Sequence, residues 1–179
     1  MAAEKGVNLK TYQPLHAEEI NAGIRQDVES YIAGFDRAFS SALFAYQKLQ
    51  EESRKSDLKY VYICFLRSSI SQHLPLYRIN LYDEADVEDW DGCFADWDVP
   101  YAEAMRQRLP FVAESLDADK AYNLRAESLR REEAELFFEA LKDYMPVVIG
   151  ENRWRVPPGV LWFYGEYFDL CELVEWGED

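Results

Sequence analysis

Apolar residues recur every three or four positions between residues 20 and 46, which predicts one long amphipathic helix. Pro14 suits the start of this helix, and the polar run at residues 51–57 suits its end. Gly34 lies in the middle of the pattern, where glycine costs about 1 kcal/mol relative to alanine. We therefore expect another element to approach the helix closely at Gly34. The apolar positions are Ile20, Ile24, Val28, Tyr31, Phe35, Phe39, Leu43 and Tyr46.

The period changes to that of strands after residue 57. Residues 58–66 are rich in β-branched and aromatic side chains on both faces, which predicts a central strand covered on both sides. Residues 75–83 alternate apolar and polar positions, which is typical of a strand with one wetter face. Because the two runs are short and adjacent, we expect them to form an antiparallel hairpin.

Later segments continue this mixture of strands and helices. Residues 92–98 fit a third strand with Cys93, Ala95, Trp97 and Val99 on one side, although a helix also fits. Residues 101–116 indicate a helix with a break near Pro110, and residues 118–144 predict a second long helix. In that helix Asp117 is the expected cap, and Leu129, Leu136, Ala140 and Tyr144 are expected to share one side.

The aromatic tail predicts a fourth strand at residues 160–168. Gly165 inside it indicates a bulge or a close backbone approach. Residues 170–176 fit either a strand or a helix. The whole pattern predicts an α+β fold, with a small, mostly antiparallel sheet packed against a long N-terminal helix and further helices. A single domain over residues 1–179 is expected, with residues 1–13 flexible.

Charge narrows the range of partners. The formal net charge is −15, from 34 acidic and 19 basic side chains. Direct nucleic-acid binding is disfavoured, since contacts with phosphates need clustered lysine and arginine. Anionic membrane surfaces are disfavoured for the same reason. A basic protein is the partner that this charge favours.

The three cysteines, Cys64, Cys93 and Cys171, are widely spaced and form no CxxC motif. This spacing disfavours a disulfide scaffold and a zinc ribbon. The first residues have no apolar core typical of a signal peptide, and no stretch reaches the length of a membrane span. A cytoplasmic protein is expected, and its oligomeric state is left open.

Residues 83–98 hold eight carboxylates and no lysine or arginine. Tryptophan is a good interface anchor because it buries a large area with few rotatable bonds. Tryptophans interleaved with carboxylates suit a basic partner that also has apolar grooves. The predicted interaction surface consists of Asp89, Trp90, Asp91, Asp96, Trp97 and Asp98.

The same carboxylates allow a metal hypothesis. Hard cations take carboxylate ligands, and a bound Mg²⁺ or Mn²⁺ supports hydrolytic chemistry. Asp89, Asp91 and Asp98 are weak candidates for such ligands. A calcium loop of the EF-hand type fits poorly, because with Gly92 at its sixth position the first ligand would be Val87. No metal site is therefore predicted, and a small metal-dependent hydrolase remains an alternative.

Motifs for other catalysis are absent from the sequence. The two histidines lie in a helix entrance and a predicted turn, no GxSxG motif surrounds a serine, and no glycine-rich phosphate loop or cofactor motif occurs. The sequence thus favours an acidic protein-interaction module without catalysis, of the immunity-protein, antitoxin or inhibitor kind. A small-ligand sensor with a pocket lined by Arg78 and the tail aromatics is the other alternative.

Overall fold

A computed structural model describes residues 7–72, 76–83, 93–113, 116–167 and 169–176 of the chain. These residues form an α+β fold in which helices pack on a five-stranded sheet, as the sequence predicts. The helices are α1 (Ala17–Gln26), α2 (Val28–Glu51), α3 (Pro100–Arg108), α4 (Asp117–Lys142) and α5 (Met145–Ile149). The strands are β1 (Tyr60–Leu66), β2 (Leu76–Tyr82), β3 (Phe94–Trp97), β4 (Leu161–Glu166) and β5 (Cys171–Leu173).

The predicted N-terminal helix is two helices, because α1 and α2 are separated at Asp27. Asp27 has φ −116° and ψ 21°, outside the helical region, and its Oδ1 accepts a hydrogen bond from Ser30 Oγ at 2.5 Å. The apolar pattern continues across this single residue, since Ile24 and Tyr31 are both buried. Periodicity alone therefore could not reveal the break.

The sheet has the strand order β3-β2-β1-β4-β5. Strands β1 and β2 form the predicted antiparallel hairpin, in which Tyr60 lies opposite Tyr82 and Leu66 opposite Leu76. Strand β3 extends the sheet antiparallel to β2, which confirms the strand interpretation of residues 94–97. Strands β1 and β4 pair in parallel, and β5 returns antiparallel to β4. The sheet is thus mixed but mostly antiparallel.

One face of the sheet carries the core. Val61, Ile63 and Phe65 of β1 are buried on it. Helix α4 packs there, since the ring of Phe138 stacks on Tyr164 with a centroid distance of 4.9 Å. The opposite face of the same strand is only partly covered, because Tyr60 and Tyr62 retain some exposure. The prediction that β1 is covered on both sides therefore holds fully for the helix face and only in part for the other, where Cys64 is buried.

Another element approaches α2 closely at Gly34, as the sequence predicts. A Cβ atom at Gly34 would lie 3.1 Å from Nε1 of Trp97, which belongs to β3. Glycine thus lets α2 pack tightly on the sheet at the position of this tryptophan. In the ranges that the structure describes, no helix is both long and apolar enough to cross a membrane.

The boundaries of α3 and α4 differ slightly from the expectations. Helix α3 ends at Arg108, before Pro110. Asp117 is the first residue of α4 instead of its cap, and the Asp119 carboxylate accepts a hydrogen bond from the Leu116 N–H at 3.0 Å. Leu136, expected on the same side of α4 as Leu129 and Ala140, is 36% exposed, whereas those two side chains are buried.

Candidate functional site

The predicted interaction surface is only partly within the described residues. Asp89, Trp90 and Asp91 lie outside them, so their part of the prediction is untested. Asp96 and Asp98 are exposed, as expected. The carboxylate of Asp96 accepts two hydrogen bonds from Arg78, at 2.7 and 3.3 Å. Its charge is therefore already paired within the chain.

Trp97 is a correction to the predicted surface, because its side chain is fully buried. Its ring meets Phe35 edge-on at a centroid distance of 5.3 Å and lies 5.6 Å from Tyr77. The cause is the alternation of β3, whose odd-numbered residues face the helices. The interpretation of Trp97 as an anchor for a partner is wrong, and its role is in the core.

Arg78 forms an ion pair with an acidic residue of the same chain, Asp96. The hydrogen bonds that Arg78 donates to Asp96 raise the pKa of the Arg78 guanidinium, which also lies 4.2 Å above the ring of Phe94. Arg155 forms a similar pair with Asp36 at 2.8 Å. Both arginines therefore form ion pairs within the chain.

The metal hypothesis gains no ligand set from the described residues. In that part of the chain, no three acidic, histidine or cysteine side chains come together closely enough to hold a metal ion. Of the weak candidates, Asp98 is described and exposed, whereas Asp89 and Asp91 are not described. A metal-dependent activity stays an untested prediction.

A groove between α4 and the β4–β5 edge of the sheet concentrates negative charge. It consists of three adjoining hollows of about 390, 200 and 340 Å³. The first two share Glu139 and Glu166 in their walls, and the last two share Lys142 and Glu172. We call it the acidic groove. Its carboxylates are Glu132, Glu135, Glu139, Asp143, Glu166, Asp169, Glu172 and Glu175, and its basic residues are Arg67 and Lys142.

Both basic residues of the acidic groove are already paired. Arg67 bonds Glu166 and lies 3.9 Å from Glu135, and Lys142 bonds Glu172 at 2.5 Å. Among the described residues, the structure shows no ion pair for the carboxylates Glu132, Glu139, Asp143 and Glu175. The groove therefore keeps an uncompensated negative charge.

The floor of the acidic groove is apolar, and strand β5, at the edge of the sheet, forms the outer side of the groove. The floor includes Phe65, Phe138 and Tyr164. In the described part of the sheet, β5 has β4 on one side and no strand on the other. The Val174 N–H donates to the Trp162 carbonyl, so the alternation of antiparallel pairing turns the backbone groups of residues 171 and 173 outward.

A buried carboxylate joins α4 to the N-terminal segment and α3. Glu133 is fully buried and accepts hydrogen bonds from the hydroxyls of Tyr12 and Tyr101, the Leu15 N–H and the Arg108 guanidinium. Burial, followed by the nearby Glu133 charge, raises the pKa of Tyr101 above its ordinary value. This cluster holds Tyr12, which lies in the segment expected to be flexible. Its contacts are all internal, so it stabilises the fold.

The sheet face opposite the helices has a pocket of about 360 Å³. The tail aromatics Phe163 and Tyr167 line it, together with two cysteines, Cys64 and Cys171. Arg78 is not among its lining residues, and the Arg78 guanidinium donates a hydrogen bond to Asp96. A sensor function stays an untested prediction.

Comparisons with protein-family models, curated proteins and solved structures found no match to this chain. Sequence reasoning missed the acidic groove, although one signal for it was available. Glu132, Glu135, Glu139 and Asp143 follow helical spacing along α4 and share a side that is not apolar. Their partners on β4 and β5 could be assigned only once the strand pairing was known.

Proposed function

We propose that this protein is an acidic interaction module without catalysis, which binds a basic segment of another protein in the acidic groove. The observation that carries the proposal is the concentration of charge there. Eight carboxylates and two basic residues line the groove, a stronger excess than the 34 to 19 of the whole chain. Such a potential attracts cationic partners and speeds their encounter.

The shape of the acidic groove supports an extended occupant. Its three hollows follow one another along α4 and the sheet edge, and each has room for a side chain. Lysine and arginine side chains combine an apolar stem with a charged head. The stem fits the floor at Phe138 and Tyr164, while the head reaches Glu132, Glu139 or Asp143.

The edge strand offers backbone contacts for the same occupant. Outward N–H and C=O groups at residues 171 and 173 allow an extended segment to add as a further strand. Main-chain hydrogen bonds would supply affinity without regard to sequence, and the carboxylates would select positive charge. An immunity-like, antitoxin-like or inhibitor protein acting on a basic enzyme would need both properties.

The test uses a synthetic peptide of alternating lysine and valine, titrated into the full chain in a calorimeter. In one variant Glu132→Gln, Glu139→Gln and Asp143→Asn are combined. We expect this variant to bind about tenfold more weakly, since each exposed charge pair is worth roughly 0.2–1 kcal/mol. Binding to the unsubstituted chain should also weaken as salt is added.

A matched control separates the groove from bulk charge. Glu18, Glu29 and Glu51 are exposed on α1 and α2, and changing all three to glutamine alters the net charge by the same amount. The control should bind within about threefold of the unsubstituted chain, since screening limits the reach of distant charges. Equal losses in both triple variants would show that only net charge matters, and the proposal would fail.

A further inference from the structure

Two cysteines meet across a glycine on the sheet face opposite the helices. Cys64 of β1 lies opposite Gly165 of β4, and Gly165 lies opposite Cys171 of β5. A Cβ atom on Gly165 would lie 2.5 Å from Cys171 Cα and 2.7 Å from its Sγ. The absence of that atom leaves the space above Gly165 to the two thiols, which line the same pocket.

The two thiols differ in their surroundings. Cys64 is 4% exposed, whereas Cys171 is half-buried. The Cys171 thiol also donates to the Glu166 carbonyl at 3.5 Å. The neighbouring Cys64 thiol lowers the pKa of Cys171, against the opposing effects of burial and of the Asp169 and Glu166 carboxylates. The Cys171 thiol, together with burial, raises the pKa of Cys64. Cys171 is therefore the thiol that loses its proton first, while Cys64 keeps its S–H.

Both sulfurs line the pocket of about 360 Å³ on this face. The rings of Tyr62 and Phe163 are stacked beside them at a centroid distance of 4.7 Å. Asp169 and Glu166 are the charged residues of the lining. Glu166 is paired with Arg67, and Arg78, which lies opposite Cys64, is paired with Asp96, so Asp169 leaves an excess of negative charge at the pocket. Small cationic molecules are therefore favoured over anionic ones at Cys171.

We propose that Cys171 is a modification site that reacts with small disulfides bearing amino groups. The Cys171 thiolate, having released its proton to solvent, attacks one sulfur of the disulfide. A new S–S bond forms to Cys171 as the original S–S bond breaks, and the other sulfur leaves as a thiolate that takes up a proton. Cys64 acts as a positioning residue, because its S–H stabilises the attacking thiolate.

The experiment treats the full chain with cystamine, which is cationic, and separately with the anionic 3,3′-dithiodipropionate. Intact mass and peptide mapping follow the adducts at low salt. We expect one half-cystamine on Cys171, formed at least tenfold faster than the anionic adduct, with the ratio falling as salt is added. First modification at Cys64 or Cys93, equal rates with both reagents, or a Cys64–Cys171 disulfide without a mixed adduct would overturn the proposal.

Variants test the role of Cys64. Cys64→Ala should move the midpoint of the pH–rate profile at Cys171 upward and slow the reaction near neutral pH, whereas Cys64→Ser should restore part of the rate. Cys93→Ala removes a buried thiol outside the pocket and should leave the profile unchanged. An unshifted profile in folded Cys64→Ala would refute the positioning role. If Cys64→Ala does not fold, the rate of Cys171 modification is compared between the native unsubstituted chain and the same chain unfolded in urea. A native rate no higher than the rate in urea would refute the site.

Discussion

Replacement of Glu133 by glutamine tests how the buried carboxylate stabilises the fold. The carboxylate has no solvent contact, and Arg108 donates to it at 2.5 and 3.3 Å while keeping 27% of its own side chain exposed. Breaking a buried ion pair costs about 3–5 kcal/mol. Because Arg108 can recover some hydration, we expect about 3 kcal/mol, a large part of the roughly 5–15 kcal/mol that stabilises a domain.

The assay is urea unfolding at neutral pH, with the free energy of unfolding taken from midpoint and slope. Glu127→Gln is the matched control, since Glu127 lies on the same helix and pairs with Arg131 at 3.2 Å near the surface. An exposed pair of this kind is worth about 0.3–0.5 kcal/mol. If the two variants lose stability within 1 kcal/mol of each other, the stabilising role assigned to the Glu133 cluster is wrong.

Three further predictions concern the core and the sheet. Trp97→Ala should destabilise the fold by about 3–5 kcal/mol in urea unfolding, and a loss below 1 kcal/mol would contradict its burial. Gly165→Ala should lower the free energy of unfolding by about 1–3 kcal/mol, because the added methyl group would clash with the backbone of Leu170 and Cys171. Gly23→Ala is the control, since a Cβ atom there would have no neighbour within 4 Å. Equal thermal midpoints for the two variants would refute this prediction. Burial raises the pKa values of Tyr77 and Tyr164 above the ordinary 10, so the native state holds their protons more tightly. The resulting stability is fully present below pH 10, and above it the free energy of unfolding should fall by about 1.4 kcal/mol per pH unit for each tyrosine. Urea midpoints that stay unchanged up to pH 11 would contradict this prediction.

The strands could be predicted because their signal is local. Alternation and β-branched residues placed β1 and β2 to within two residues of their observed ends, and proximity in sequence supported their antiparallel pairing. The break at Asp27 escaped prediction, because one non-helical residue hardly disturbs a period of 3.6. The sequence placed Trp97 on the same side of β3 as Ala95, but it did not show that this side faces the core.

The acidic groove could not be predicted, because its walls come from distant parts of the chain. Glu139 and Glu166 meet only because β4 pairs in parallel with β1 and α4 packs across them. The pairing of Cys64 with Cys171 likewise depends on the register of three strands. The sequence did mark Gly165 as a point of close approach, and the structure shows that Cys171 is the neighbour.

The acidic groove is the central claim, and backbone amide shifts under titration with the lysine–valine peptide test it most directly. An NMR experiment on the isotope-labelled chain follows every assigned amide at once. We predict the largest changes in β5 and along residues 132–143 of α4, with slowed amide exchange at residues 171 and 173. Changes confined to residues 83–98, or spread evenly over the molecule, would contradict the groove as the binding site.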